Sequence, residues 1–204
     1  MKKTIIIVII SFSLAIVLGA CSALKTVTTL KKIQFKIENV SNFQIAGIPI
    51  SGKASISDLN MTNALQISQI FTQKKFPAQF VLNLAALNPN DGKTSPAKVD
   101  ATISSLEWRL ILDDTPTVSG VVNGPITIPG SGQSVIIPLT INLDLFEFFG
   151  NHGYDKLINL AFALGGMHSD LSRLKLDIQP TIKTPLGPIQ YPGRITVINK
   201  QFSN

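Results

Sequence analysis

A strict alternation in residues 135–145 constrains the fold more than any other feature of the sequence. Every odd position is apolar, and the even positions include Pro138, Thr140 and Asn142. A period of two places successive side chains on opposite faces of a β-strand, so this segment predicts a strand with one face in the core. Because Pro138 has no N–H to donate, we expect it on a strand at the edge of its sheet or at a site whose backbone nitrogen points outward.

The same period recurs along most of the chain, between short runs of Gly, Pro, Asn and Asp that are typical of turns. Many half-buried strands joined by turns predict a mainly β chain folded as an antiparallel sandwich. The further segments with strand periodicity are 33–37, 80–86, 99–103, 106–112, 174–178 and 189–198, the last with a kink at Pro192-Gly193.

One strand changes parity partway. Apolar side chains occupy odd positions up to Ile103 and even positions from Leu106, with Ser104 and Ser105 between them. A one-residue slip would send the second set to the wrong face, so we predict a β-bulge at the serine pair. The even parity also places Trp108 in the core, which we favour over an exposed ligand platform.

Two segments break the strand period and predict short helices. The first has Thr62 or Asn63 as its N-cap and ends before Pro77; its apolar face would consist of Leu65, Ile67, Ile70 and Phe71. The second has Asp155 as its N-cap, an apolar face from Leu157 to Leu164, and a stop at Gly165-Gly166. We read the nearly uncharged run 160–167 as cover for the core, with an exposed membrane or ligand patch as the alternative.

The N-terminus looks like an export signal. Lys2 and Lys3 precede an apolar run from Ile5 to Leu18 that is shorter than a typical transmembrane span. The alternative is an uncleaved anchor helix. The run ends in Leu18-Gly19-Ala20-Cys21, which resembles the lipobox of bacterial lipoproteins. That resemblance implies cleavage between Ala20 and Cys21, lipidation of the Cys21 thiol, and acylation of the new amine by a chain such as palmitate.

These signals divide the chain into a signal peptide (1–20), a lipidated tether (21–30) and a single β-domain (31–204). Cys21 is the only cysteine of the 204-residue protein, which excludes a disulfide framework and a cysteine zinc site. Ser22 follows it instead of the Asp that resembles an inner-membrane retention signal. We therefore expect a lipid-anchored protein of the cell envelope, with the outer membrane favoured where the host has two membranes.

The basic excess does not predict nucleic-acid binding. The formal net charge is +6, of which the predicted signal peptide supplies Lys2 and Lys3. Beyond residue 20 the adjacent basic pairs are Lys31-Lys32 and Lys74-Lys75, and there is no arginine cluster of the kind that tracks a phosphate backbone. Partners are expected instead to be the membrane, through the lipid, and client proteins or lipids of the envelope.

The sequence nominates no catalytic residue, no metal site and no cofactor. His152 and His168 are the two histidines, and their spacing matches no metal motif. We read both as surface loop residues. No serine stands in a G-x-S-x-G elbow, and Gly130-Ser131-Gly132 is not followed by the strand and helix of a phosphate loop. The expectation is a protein that is not an enzyme.

The central motif is Asn88-Pro89-Asn90, which follows the strand Phe80–Leu87. After it come the strand around Trp108, a strand bearing Gly120, the residues Ile128-Pro129-Gly130, and the long alternating strand. Together they resemble the late embryogenesis abundant type 2 family, whose module is also called WHy (water stress and hypersensitive response). The residues 91–98 make a longer loop than the family norm.

The resemblance implies an immunoglobulin- or fibronectin-III-like β-sandwich, a role in protection against desiccation, and no catalytic residues. Physically, Pro89 favours extended geometry at Asn88, and asparagine amides can bond nearby backbone, so we read the motif as structural. The expected function is non-catalytic protection of envelope or membrane components under water stress. The alternative is an envelope interaction or lipid-handling module that docks a partner or an acyl chain.

Overall fold

The structure is a computed structural model that describes residues 33–93, 98–167, 170–184 and 187–204. Its strands are β1 (Gln34–Ile45), β2 (Ile48–Pro49), β3 (Pro77–Leu87), β4 (Ala101–Leu112), β5 (Thr115–Ile128), β6 (Ser134–Asp144), β7 (Leu174–Thr184), β8 (Gly187–Gln190) and β9 (Ile195–Val197). Its helices are α1 (Met61–Thr72), α2 (Leu145–Phe149) and α3 (Tyr154–Gly165), with 3-10 turns at Ile56–Asp58, Gly150–His152 and Leu171–Arg173.

The strands form two antiparallel sheets. The first has the order β2-β1-β3-β6, and the second has the order β5-β4-β7-β8, with β9 also paired to β7. Alternate side chains of both sheets belong to one hydrophobic cluster. The prediction of a mainly β chain with few short helices is therefore confirmed, while an immunoglobulin- or fibronectin-type connectivity stays a prediction.

The alternating segment behaves as its period predicts. It forms β6, in which Ile137, Leu139, Ile141 and Leu143 are buried and the even residues from Ser134 to Asn142 are exposed. β6 pairs only with β3 in the sheet order, so Pro138 lies on an edge strand. An edge strand has one side without a partner strand, and it is the position in a sheet where a residue without an N–H is tolerated.

The β-bulge is confirmed. The register of β4 shifts between Ile103 and Ser105 against both of its neighbours, β5 and β7. Ile103 and Leu106 are both buried as a result. Ser104, the extra residue, donates its hydroxyl to the carbonyl of Thr181 at 3.1 Å. One added residue thus keeps two apolar sets of opposite parity in the same core.

The segment 189–198 does not form the single kinked strand that its pattern predicts. The chain breaks at Pro192-Gly193 into β8 and β9, which pair with different parts of β7. Beyond β9, Ser203 exchanges two backbone hydrogen bonds of 2.8 Å with Phe35. The C-terminal tail therefore covers part of the free edge of β1 and links the two sheets.

Helix α3 packs closely on the first sheet. Its residues Leu157, Leu160, Ala161 and Leu164 are buried, and it ends at Gly165 as predicted. A Cβ on Gly165 would lie 2.1 Å from Cγ of Phe43, so the stop glycine also permits this approach. The predicted cap is wrong: the N-cap is Gly153, whose φ of 84° favours glycine, and Asp155 lies inside the first turn.

Helix α1 is less deeply packed. Ile67 is its buried residue, and Phe71 makes edge contacts with Phe146 and Tyr154. Two predictions for this helix are wrong. The N-cap is Asn60, which accepts a hydrogen bond from the Asn63 N–H at 2.8 Å, so neither Thr62 nor Asn63 is the cap. Leu65, predicted to face the core, is exposed.

Trp108 is buried, as its even position in the alternating strand predicts, and its ring packs against a glycine of β5 on the inner face of the sheet. The partner residue across the strands is Gly120, and a Cβ there would lie 2.5 Å from Cζ2 of the indole. A large ring against a glycine lets the tryptophan cover the edge strand. The glycine in β5 is therefore required by packing.

We expect Gly120→Ala to destabilise the fold by about 1–3 kcal/mol, because the added methyl group overlaps the indole ring. Thermal and urea unfolding would measure this loss. The matched control is Gly193→Ala, where an added Cβ has nothing within 4 Å. Equal stability of the two variants would contradict the packing role of Gly120.

Candidate functional site

The Asn88-Pro89-Asn90 motif lies at the end of β3, where the chain leaves the first sheet. The side chain of Asn88 is fully buried and forms four hydrogen bonds. Its Nδ2 donates to the carbonyls of Val99 at 2.8 Å and Ile128 at 3.2 Å. Its Oδ1 accepts from the backbone N–H of Asn90 at 3.1 Å and from Asn90 Nδ2 at 2.9 Å.

These bonds join segments of both sheets. Asn88 follows β3 of the first sheet, whereas Val99 precedes β4 and Ile128 ends β5 of the second. The segment after β5 also lies close to the motif, since a Cβ on Gly130 would be 2.4 Å from the carbonyl oxygen of Asn90. The N–H of Gly130 is bonded to Asp100 Oδ1 at 2.8 Å.

A carboxamide has two N–H donors and one carbonyl oxygen with two lone pairs. In Asn88 the chain itself occupies all four positions, so the side chain has no group left for a ligand. The geometry thus gives the motif a role in joining strand ends. The loop beyond it closes through a bridge between Asp91 and Lys98.

The outer face of the second sheet carries a charged network. Arg109 Nη2 donates to Asp177 Oδ2 at 2.8 Å, and the hydroxyl of Thr196 donates to Asp177 Oδ1 at 2.8 Å. Burial by itself would raise the pKa of the Asp177 carboxyl. The hydrogen bonds from Arg109 and Thr196, together with the charge of Arg109, outweigh burial and lower this pKa below its usual value.

A second set of ion pairs holds the turn between β4 and β5. Asp113 and Asp114 both have positive φ, 44° and 61°, as a two-residue type I′ turn requires. Arg173 binds both carboxylate oxygens of Asp113, and Lys175 bonds Asp114 at 2.5 Å. The 3-10 turn before β7 and β7 itself thus supply the two cations, Arg173 and Lys175, that neutralise two adjacent carboxylates.

Beside this turn lies a depression of about 160 Å³ that contains His152 and Lys156 and has Leu157 and Leu160 at its base. His152 is exposed in its 3-10 turn, where its ring lies 6.1 Å from that of Phe149. His168 lies outside the described residues. Across the described ranges, no three His, Cys, Asp or Glu residues come together as a metal ligand set.

The uncharged run 160–167 divides into two parts. Leu160, Phe162 and Leu164 are buried and cover the core, which is the favoured reading. Met167, after the end of α3, is 60% exposed. The patch that the alternative function requires is therefore reduced to its last residue.

The sequence interpretation missed an apolar surface on α1. Met61 and Leu65 are 79% and 54% exposed. At 3.6 residues per turn, Leu65 lies about 160° from Ile67 around the helix axis but only about 40° from Met61. That angle is the signal that could have separated Leu65 from the packed face.

Cys21, Ala20 and the tether lie outside the described residues, so cleavage and lipidation stay predictions. Among the residues that the structure describes, no helix has the length and apolar content of a membrane span.

We expect Asn88→Ala to lower the free energy of unfolding by about 2–4 kcal/mol, because it leaves two buried carbonyls and the Asn90 amide without their hydrogen-bond partner. Asn90→Ala removes one side-chain bond and should cost about 1 kcal/mol. Chemical denaturation of both variants checks this order. A smaller loss for Asn88→Ala than for Asn90→Ala would contradict the role of Asn88 as the shared partner.

The Asp177 network predicts a pH dependence of stability. Because the folded pKa lies below the unfolded value of about 3.9, the stabilisation is fully present above that value and is lost as the pH falls through the folded pKa. Asp177→Asn should cost about 1 kcal/mol at neutral pH, since Arg109 is partly exposed. The difference from wild type should shrink below about pH 4 in denaturation experiments. A difference that stays constant through the acid range would contradict this assignment.

Comparison with known proteins establishes no family. No protein-family model matches the chain, and no curated protein matches it. The chain is distantly similar to a crystal structure of a protein from Archaeoglobus fulgidus, with 14% identity and a TM-score of 0.32 over 61% of this chain and 87% of the other. It is also similar to the solution structure of a candidate late embryogenesis abundant (LEA) protein, with 12% identity and a TM-score of 0.37 over 94% of this chain and 87% of the other. Similarity this distant does not establish a shared function.

Proposed function

We propose that this chain is a lipid-anchored, non-catalytic protein of the cell envelope that protects membrane or envelope components during water stress. The observation that carries the proposal is the single cysteine, Cys21, at the end of a short apolar export segment. One acyl chain binds a bilayer only marginally, whereas two or more anchor a protein stably. Diacylglycerol on the thiol and a further chain on the amine would meet that requirement.

The protective role rests on the resemblance of the β-domain to the late embryogenesis abundant type 2 family. The motif Asn88-Pro89-Asn90 carries that resemblance, and its amides stabilise the junction between the sheets. A domain with such a junction would act as a folded surface under dehydration, in contrast to protectants that are disordered.

The surface charges support a non-catalytic role. Arg109, Arg173 and Arg194 pair with Asp177, Asp113 and Glu107, on open sheet faces or at a turn. Catalytic groups usually stand in a cleft with strongly perturbed pKa values. Each of these arginines instead forms an ion pair with a carboxylate, which is typical of a stable surface.

Cys21→Ser tests the anchor. We expect the wild-type protein to incorporate labelled palmitate and to fractionate with membranes, and the variant to lose the label. A deletion strain complemented with wild type should survive drying better than one complemented with Cys21→Ser. Ser22→Ala is the matched control and should behave as wild type in all three measurements.

Membrane-bound protein without a lipid label would contradict lipidation and favour the uncleaved anchor helix. Survival that does not depend on the gene would contradict the protective role while leaving the anchor intact. The alternative function is docking of a partner or an acyl chain. It would be supported if survival of drying did not depend on the gene, while Cys21→Ser cells lost a specific molecule that binds the wild-type protein.

A further inference from the structure

Helix α1 has an unusual surface for a helix beside a polar β-domain. Its twelve residues include no Asp, Glu, Lys or Arg. One side packs through Ile67 and Phe71, whereas Met61 and Leu65 project outward, one turn apart. Of the other eight positions, six carry uncharged polar side chains (Thr, Asn, Gln and Ser) and two carry Ala64 and Ile70, so the exposed apolar pair has no charge within its own helix.

A third exposed apolar residue, Met167, is bonded to the segment that precedes α1. The N–H of Met167 donates to the carbonyl of Lys53 at 2.8 Å, at the start of the segment that leads into α1. The sequence has two methionines beyond residue 1, Met61 and Met167, and both are exposed. Methionine is flexible and polarizable, and it is favoured where a surface must adapt to irregular apolar partners.

Lysines flank this apolar set. The backbone carbonyl of Lys53 accepts the bond from Met167, and Lys74 and Lys75 follow the C-terminus of α1. Among the described residues, none of the three is in an ion pair. The acidic residue nearest in sequence, Asp58, accepts two hydrogen bonds from the backbone N–H groups of Ala54 and Ser55.

We propose that α1 and Met167 form a second membrane contact, in which Met61, Leu65 and Met167 enter the interfacial layer of a bilayer and the three lysines bind anionic headgroups. An exposed helix with apolar residues on one side and flanking lysines is the arrangement that binds at membrane interfaces. Charge complementarity selects this occupant, because acidic lipid headgroups attract unpaired lysines near the surface.

The size of the patch argues against a protein partner. A stable protein interface buries about 800 Å² on each side and needs about 20–30 residues. Two large side chains on α1 and one after the end of α3 supply far less. A bilayer accepts isolated apolar side chains without a complementary groove, so the same three residues suffice there.

The geometry of the proposed anchor is compatible with this contact; this step rests on the proposed function. α1 follows the C-terminal end of β1, whereas the tether joins β1 at its N-terminal end. β1 has 12 residues and spans about 40 Å. Residues 21–32, fully extended, would also span about 40 Å, so a lipid on Cys21 and α1 could reach the same bilayer.

The test uses residues 21–204 with Cys21→Ser, so that no lipid contributes to binding. The buried core of the described residues lies entirely between Ile33 and Val197, so this chain retains it. Cosedimentation would compare vesicles of phosphatidylcholine with vesicles of phosphatidylcholine and phosphatidylglycerol in equal amounts. We expect binding to the anionic vesicles that weakens as salt is added.

Met61→Ser with Leu65→Ser should reduce partitioning at least about tenfold, because two inserted side chains are lost. Lys74→Gln with Lys75→Gln should reduce it about fivefold per lysine, on anionic vesicles only. The matched controls are Val121→Ser with Ile136→Ser, at 51% and 47% exposure, and Lys183→Gln with Lys200→Gln. Thermal unfolding would verify that each variant is folded.

The proposal is overturned if the parent chain binds neither vesicle, or if the Met61/Leu65 variant binds as well as its parent. It is also overturned if the controls lose as much binding, since the attraction would then be a general property of the surface. Loss of a lipid-free protein complex in the Met61/Leu65 variant, with vesicle binding intact, would identify a protein partner instead. Because this chain carries no lipid, each result is independent of whether Cys21 is lipidated in cells.

Discussion

A buried carboxamide connects the two halves of this fold. Asn88 stands where the chain leaves the first sheet, and its Nδ2 bonds carbonyls beside β4 and β5 of the second. Apolar packing between sheets is non-directional and would tolerate sliding, whereas these bonds fix one relative position of the strand ends. The close approach of Gly130 to Asn90 depends on that position. The alignment of the inner faces over their common core therefore depends on a polar contact at its margin.

Charge and apolar surface are distributed differently over the molecule. On the outer face of the second sheet and at the turn between β4 and β5, carboxylates and guanidinium groups form ion pairs with one another. Around α1 the lysines have no such partners among the described residues, and the exposed side chains between them are apolar. Paired charges favour solvation, whereas unpaired lysines beside apolar side chains favour an anionic, partly apolar surface. Anchoring at Cys21 and contact at α1 would thus be two separate interactions with one membrane.

The sequence predicted the strands better than it predicted the helix ends. Period two is a local property, so the inward face of β6, the bulge at Ser104 and the edge position of Pro138 could all be read from neighbouring residues. The helix caps could not. Asn60, Thr62 and Asn63 are all residue types that can cap a helix, so residue type alone does not choose among them; in the structure Asn60 accepts the bond from the Asn63 N–H. Asp155 is also a residue type that can cap a helix, but α3 begins earlier, with Gly153 as its N-cap at a positive φ.

The sequence by itself determined the strand faces, the edge strand, the core position of Trp108 and the uniqueness of Cys21, because each depends on residue type and spacing alone. Only the tertiary structure decided what Asn88 bonds, why Gly120 and Gly165 must lack a Cβ, and which side of α1 is left uncovered. Those properties depend on distances between segments far apart in the chain, such as Asn88 and Ile128. Local periodicity carries no information about such distances, so the sequence could not show which segments meet at the junction of the two sheets.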